Sequence, residues 1–248
     1  MFHAPIAIEE DKKAQFVDIG CGTGVATVEL AQKYPSAQVY GIDASDVPLV
    51  DARPDNVEFV KGNFEDLIGD ARDARFKPQS IDYAFSMARL WAIDDWQKYV
   101  NNVASTIKPG GWVEMHDGSL SVFDHGKCID ENMEWRMVLK EAMIGKGLDP
   151  DAGANLAEYM RKAGLVDVEQ VVYPLPFGKF NIKEKSETEG TQPTYEKPMY
   201  PQILRKMVEG KGYGEQQINQ WCEDIVRDYR AADGQQFFFY VTFGRKPE

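Results

Sequence analysis

The sequence predicts an α/β fold built on a mostly parallel sheet, and three observations carry that prediction. Strand and helix patterns alternate through the first half, a glycine-rich turn joins the first strand to the first helix, and an aspartate ends the second strand. Phe16–Ile19 reads as strand one and Val25–Tyr34 as the helix after it, stopped by Pro35 and Ser36. Gln38–Ile42, Val57–Val60 and Ile81–Phe85 follow as strands two, three and four. Asp95–Ile107 is the clearest helix, because Trp96, Tyr99, Val100, Val103, Ala104 and Ile107 recur at helical spacing and form one apolar stripe. Lys108-Pro109-Gly110-Gly111 ends it, and Trp112–Met115 is the fifth strand.

The rhythm then changes. Ile129–Ile144 and Ala152–Ala163 read as helices, the second closed by Gly164, and Val166–Val172 as a strand. Pro174–Pro201 is rich in Pro, Gly, Lys, Glu and Thr and reads as an excursion outside the core. An amphipathic helix carrying Ile218, Trp221, Cys222, Ile225, Val226 and Tyr229 follows, and Gln236–Phe243 closes the chain as a strand. The expected organisation is one domain over residues 1–248, with lid or substrate insertions at about 118–150 and 174–235.

Composition narrows the function classes. The 248 residues are 43% hydrophobic and 27% charged, ordinary for a globular protein. A net charge of −12 with no basic stripe argues against nucleic acid as a partner. Apolar runs such as Phe237–Val241 are too short to span a bilayer, and Glu9, Glu10, Asp11, Lys12 and Lys13 interrupt any leader-like start. Cys21, Cys128 and Cys222 are scattered and form neither a disulfide framework nor a zinc signature, which points to a reducing, cytoplasmic setting and no metal site.

The chemistry centres on Val17-Asp18-Ile19-Gly20-Cys21-Gly22-Thr23-Gly24. Glycines at alternate positions let the backbone turn sharply and leave no Cβ where a ligand must touch the main chain. A dinucleotide fingerprint needs G-x-G-x-x-G, and from either starting glycine the third position fails, falling on Val25 or Thr27. The pattern therefore suits a ligand without phosphates whose amino-acid tail lies in the turn, with Asp18 placed to take an ammonium group. Asp43 follows at the end of strand two, where a carboxylate accepts hydrogen bonds from both ribose hydroxyls, with Ala44 beside it. After strand three, Asn63 can bond an adenine edge, and Phe64 either flanks the ring or belongs to the core. Ser86 and Met87, ending strand four, would meet the ligand through their backbone.

These residues, with Ile107-Lys108-Pro109-Gly110-Gly111-Trp112, resemble the class I methyltransferases that use S-adenosylmethionine (SAM). More narrowly the chain looks like the fungal LaeA-like methyltransferases of secondary metabolism. The matching stretches are Tyr34-Pro35-Ser36-Ala37, Ser80-Ile81-Asp82-Tyr83, Asp95-Trp96, Ala163-Gly164-Leu165-Val166-Asp167-Val168, Leu175-Pro176-Phe177-Gly178 and Val241-Thr242-Phe243-Gly244-Arg245-Lys246-Pro247. The resemblance implies a Rossmann-like, seven-stranded sheet of order 3-2-1-4-5-7-6 with the last strand antiparallel, and SAM as cofactor with S-adenosylhomocysteine (SAH) as product. It assigns the cofactor to Asp18, Gly20, Cys21, Gly22, Gly24, Asp43, Ala44, Asn63, Phe64, Ser86 and Met87. Two departures stand out: Asn63 replaces a frequent acidic residue, and only some fifteen residues precede strand one, where relatives carry a helical segment over the SAM tail. A partner subunit in a homodimer, or the 174–201 excursion, would supply that wall.

The implied reaction is methyl transfer to an O or N atom of a small-molecule acceptor. The sulfonium already activates the methyl group, so alignment is the protein's main task. A base is needed only for a protonated acceptor, and His116, ending strand five, is the candidate, because histidine as a residue type titrates in the useful range, at about 6.5. Adjacent strand residues point to opposite faces, so Asp117 is not expected to orient it. His125 is a weaker candidate. Trp135, Met133, Met137, Met143, Tyr195, Tyr200 and Trp221 would suit an apolar acceptor pocket, though Trp221 and Met137 read better as helix-packing core. Two other readings compete: an enzyme of the same fold performing a cyclisation, isomerisation or elimination, and a non-catalytic regulatory protein.

Overall fold

The computed structural model describes residues 1–7, 13–48, 53–69, 73–176, 196–230 and 235–248. Its first half runs β1 (Gln15–Ile19), α1 (Val25–Lys33), β2 (Gln38–Asp43), β3 (Val57–Lys61), α2 (Phe64–Gly69), β4 (Ile81–Met87), α3 (Trp96–Thr106) and β5 (Ile107–Asp124). Then come β6 (Lys127–Cys128), α4 (Glu134–Ile144), α5 (Ala152–Lys162), β7 (Val166–Pro176), α6 (Glu196–Val208), α7 (Glu215–Arg230) and β8 (Gln235–Arg245). The sheet order is 3-2-1-4-5-8-7, with the two-residue β6 paired to β5 in a hairpin. Apart from that hairpin arm, this is the expected seven-strand path, with sequence strands six and seven appearing as β7 and β8. The pairs β1–β2, β1–β4, β2–β3 and β4–β5 are all parallel.

The chain divides into two compact units. The first comprises residues 1–117, 152–171 and 240–248, and the second residues 118–151 and 172–239. In the first unit, Phe16, Leu30, Val39, Tyr83 and Phe85 form a core between the sheet and α1. On the other face α3 buries Trp96, Tyr99, Val100, Val103 and Ala104, the stripe expected from its spacing. Asp95 caps it, accepting the Lys98 backbone N–H at 2.9 Å. The second unit has its own apolar centre, with Trp135, Leu139, Leu204, Trp221 and Ile225 almost wholly buried. There Trp135 donates through Nε1 to Asp228 at 2.8 Å, and Lys140 bridges Asp130 and Asp151 at 2.7 and 3.0 Å.

Several sequence-based boundaries shift for identifiable reasons. Ile107 leaves the helix and opens β5, which takes in Lys108-Pro109-Gly110-Gly111 and continues to Asp124 rather than ending at Met115. Gly111 permits this: a β-carbon there would lie 2.7 Å from the Asp82 carbonyl oxygen, so only glycine lets β5 run this close to β4. The helix expected over 129–144 begins only at Glu134, because Met133 is extended. Residues 196–201, expected within the excursion, belong to α6, where Tyr200 is buried against Trp135. Met137, expected as core, is 47% exposed, and the His125 side chain is exposed beside Asp124. Tyr195 and the Phe177-Gly178 pair lie outside the described residues.

Candidate cofactor site

The site lies in the first unit at the carboxyl edge of the parallel strands, where a doubly wound sheet opens a crevice. The turn between β1 and α1 folds back on β2: Gly20 and Cys21 both donate their N–H groups to the Ile42 carbonyl, at 2.7 and 3.0 Å. Gly24 ends the turn with φ near +79°, and a β-carbon there would meet the Phe59 ring at 2.6 Å. Asp43 locks the arrangement from the side, accepting the Gly22 N–H on one oxygen and the Ser45 N–H on the other, each at 2.9 Å. A carboxylate has about four acceptor sites, so both oxygens retain capacity for a hydroxyl donor.

A pocket of about 390 Å³ opens here, within the range of small-molecule sites. Gly20, Asp43, Ala44, Asn63 and Phe64 line it, five of the residues singled out from the sequence. Asn63 also uses its side-chain oxygen to bond the Glu65 N–H at the head of α2, at 3.1 Å. Phe64 is only 3% exposed and edge-on to Phe76, so it serves as core and pocket floor together. Sequence reasoning missed Glu65 and the whole stretch after β4, including Arg89, Asp94, Asp95 and Tyr99. The available signal was position: a charged residue directly after the fourth strand stands at the edge where ligands bind. Among the lining residues Asp43, Glu65, Asp94 and Asp95 are acidic and Arg89 alone is cationic.

The other predicted residues stand behind or beside this pocket, and strand alternation explains which. Asp18, Phe85 and Glu114 share one register row, and Met87 and His116 the next, all on the face toward α1. Asp18 is 2% exposed and accepts a 2.6 Å hydrogen bond from the Thr27 hydroxyl. Burial pushes its carboxyl up to about 6, against the Thr27 bond and the Arg89 charge. Cys21 is buried, and burial with the neighbouring Asp18 and Asp43 pushes its thiol up to about 12. Ser86 is buried beneath Tyr99, whose phenol burial pushes up to about 12. Met87 packs with the α1-side core.

His116 is 3% exposed, with Nε2 2.6 Å from Glu114 Oε1 and its ring edge-on to Phe85 at 4.9 Å. Glu114, wholly buried, also accepts the Tyr83 hydroxyl at 3.0 Å, the Ala4 N–H at 2.7 Å and the His3 N–H at 3.0 Å. These bonds hold its carboxyl below the usual range despite the opposing effect of burial. Asp117 points away, as alternation requires, and accepts the Arg89 N–H at 2.6 Å.

Residues 16–111 match the methyltransferase domain family. The N-methyltransferase tcpN of Claviceps purpurea is 26% identical over 98% of this chain and 86% of its own. The secondary metabolism regulator laeA of Monascus pilosus is 24% identical over 71% of this chain, which spans 47% of that relative's length. Among solved structures, the YcgJ protein of Bacillus subtilis shares the fold with a TM-score of 0.54, at 16% identity over 95% of this chain and 93% of that one. Among the described residues no helix is long and apolar enough to cross a membrane, and no cluster of three or more His, Cys, Asp or Glu is placed to hold a metal ion. Residues 16–111 thus carry a methyltransferase domain, and the sheet order and the Gly20–Gly24 turn with Asp43 fit S-adenosylmethionine as its cofactor.

Proposed function

We propose that this protein transfers the methyl group of SAM to a nitrogen or oxygen atom of a small secondary metabolite. The observation that carries the reading is the pocket itself, lined by Asp43, which on this reading takes the ribose, by Asn63 and Phe64, which take the adenine, and by a mainly acidic set suited to a ligand of net positive charge. The tcpN likeness, which runs over nearly the whole chain, favours nitrogen. One SAM-binding domain with insertions at about 118–150 and 174–235, a cytoplasmic location and a homodimer complete the proposal, and gel filtration tests the last.

The chemistry asked of the protein is alignment of acceptor, methyl carbon and sulfur, which can supply effective molarities of about 10⁵ M and above. A neutral amine acceptor attacks through its lone pair and loses its proton afterwards, so no base is required in the transfer step. His116, bound to Glu114 and buried among Phe85 and its neighbours, is on this reading a structural residue. A general base contributes about 10²–10⁴-fold, so His116→Gln should lower turnover by less than about tenfold, and a larger loss with a shifted pH profile restores it as the base.

Calorimetry with SAH, followed by tritium transfer from labelled SAM into an extract of fungal metabolites, tests the whole. Binding with label in a small molecule supports the proposal. No heat with the native protein ends it in favour of a reaction on this fold that uses no SAM, and label found only in protein ends the small-acceptor reading.

A further inference from the structure

Arg89 has an arrangement that the fold alone does not require. Directly after β4, Ala88 holds φ near +57°, a conformation uncommon for a residue with a side chain. Two hydrogen bonds keep it there: Ala88 N–H donates to the His116 carbonyl at 2.9 Å, and Arg89 N–H to Asp117 Oδ2 at 2.6 Å. The chain is thereby reversed, and the Arg89 side chain runs back onto the glycine turn. There the guanidinium rests on Gly20 so closely that a β-carbon would lie 2.5 Å from Arg89 Cζ. Its Nε is buried and has no acceptor among the described residues. Asp18, a carboxylate behind the turn that feels the Arg89 charge, is engaged by Thr27 instead. A buried charged donor without a partner costs stability, and arginine's fork suits a carboxylate in two parallel bonds. Arg89 is also the one cation among the described residues that line the pocket.

We infer that Arg89 is the residue that holds the α-carboxylate of the adenosyl amino acid, taking it in a bidentate pair beside Gly20. This rests on the reading of the pocket as a SAM site and names the group that receives the amino-acid end. The anion lies where the tail enters the glycine turn, and the guanidinium exchanges a contact without an acceptor for an ion pair. Because sulfonium and guanidinium repel, the carboxylate between them is also what lets a cationic cofactor bind next to an arginine.

The test uses the full chain in a calorimeter with two ligands, SAH and its decarboxylated form, which keeps the adenosine, the sulfur and the amine. With the native protein, loss of the carboxylate should weaken binding by about tenfold or more. With Arg89→Ala, SAH should weaken to the same degree and the two ligands should bind within about twofold of each other. Arg89→Lys should recover only part of the difference, because an ammonium lacks the planar fork. Decarboxylated SAH, bound equally by native protein and variant, shows that the variant is folded. The inference is overturned if the native protein does not distinguish the ligands, or if Arg89→Ala still does. If the native protein binds neither, the SAM reading falls first and Arg89 falls with it.

Discussion

Two polar groupings of the first unit contrast, one behind the sheet and one at its carboxyl edge. On the α1 side, Glu114 is surrounded by His116, Tyr83 and the backbone of His3 and Ala4, and every approach to it is taken by the protein. At the carboxyl edge, Asp43 accepts two backbone N–H groups among the described residues, and Arg89 keeps an Nε with no acceptor among them. Burial alone would make Glu114 the more conspicuous residue. Valence reverses the ranking, because a group satisfied from within is structure and one left open at a pocket awaits something from outside.

Substitutions can break this contrast, beginning with the largest expected effect. Glu114→Ala removes a carboxylate from four partners, His3, Ala4, Tyr83 and His116, and should cost about 3–5 kcal/mol in urea unfolding. A loss below about 1 kcal/mol would show that the cluster is not the anchor described. Asp43→Ala should weaken SAH by about a hundredfold or more in calorimetry, from two lost hydroxyl bonds to a charged acceptor. Its unfolding midpoint should move far less than that of the Glu114 variant, and equal effects on both properties would dissolve the distinction.

Asp18 sharpens the comparison through pH. Its carboxyl is raised from 3.8 to about 6, so the folded chain holds the proton longer than the unfolded one. The stability this confers is fully present below about 3.8 and is lost as the pH rises through about 6. Asp18→Asn should therefore stabilise the ligand-free protein by up to about 2–3 kcal/mol at pH 8 and hardly at all at pH 3.5. A gain independent of pH would mean that packing, not charge, sets the cost. The smallest effect belongs to Asp95→Ala, which removes the cap of α3 and should cost about 1 kcal/mol in thermal unfolding.

The parallel strands and α3 were legible because their signals are local: a period of 3.6 from Trp96 to Ala104, and short apolar strands set off by turns. The pocket was legible where backbone geometry demands glycine or where a residue ends a strand, as with Gly20 and Asp43. Three things were hidden. Alternation along β4 and β5 sends Met87 and His116 to the α1 side, and a one-residue uncertainty in register reverses that assignment. Arg89 reaches Gly20 only because Ala88 adopts a left-handed conformation, which no propensity favours for alanine. The length of β5 depends on Gly111 lying against Asp82, a contact between residues distant in sequence.

The acidic lining gives the catalytic cycle a direction. SAM arrives with a net charge of +1, and transfer of the methyl group discharges the sulfonium, leaving a zwitterion of zero net charge. Asp43, Glu65, Asp94 and Asp95 attract the first more than the second, and they outnumber the one guanidinium, Arg89, that repels the sulfonium. The spent cofactor is thus held less firmly at the moment its work is done, and the same charges that recruit the donor help the site to empty.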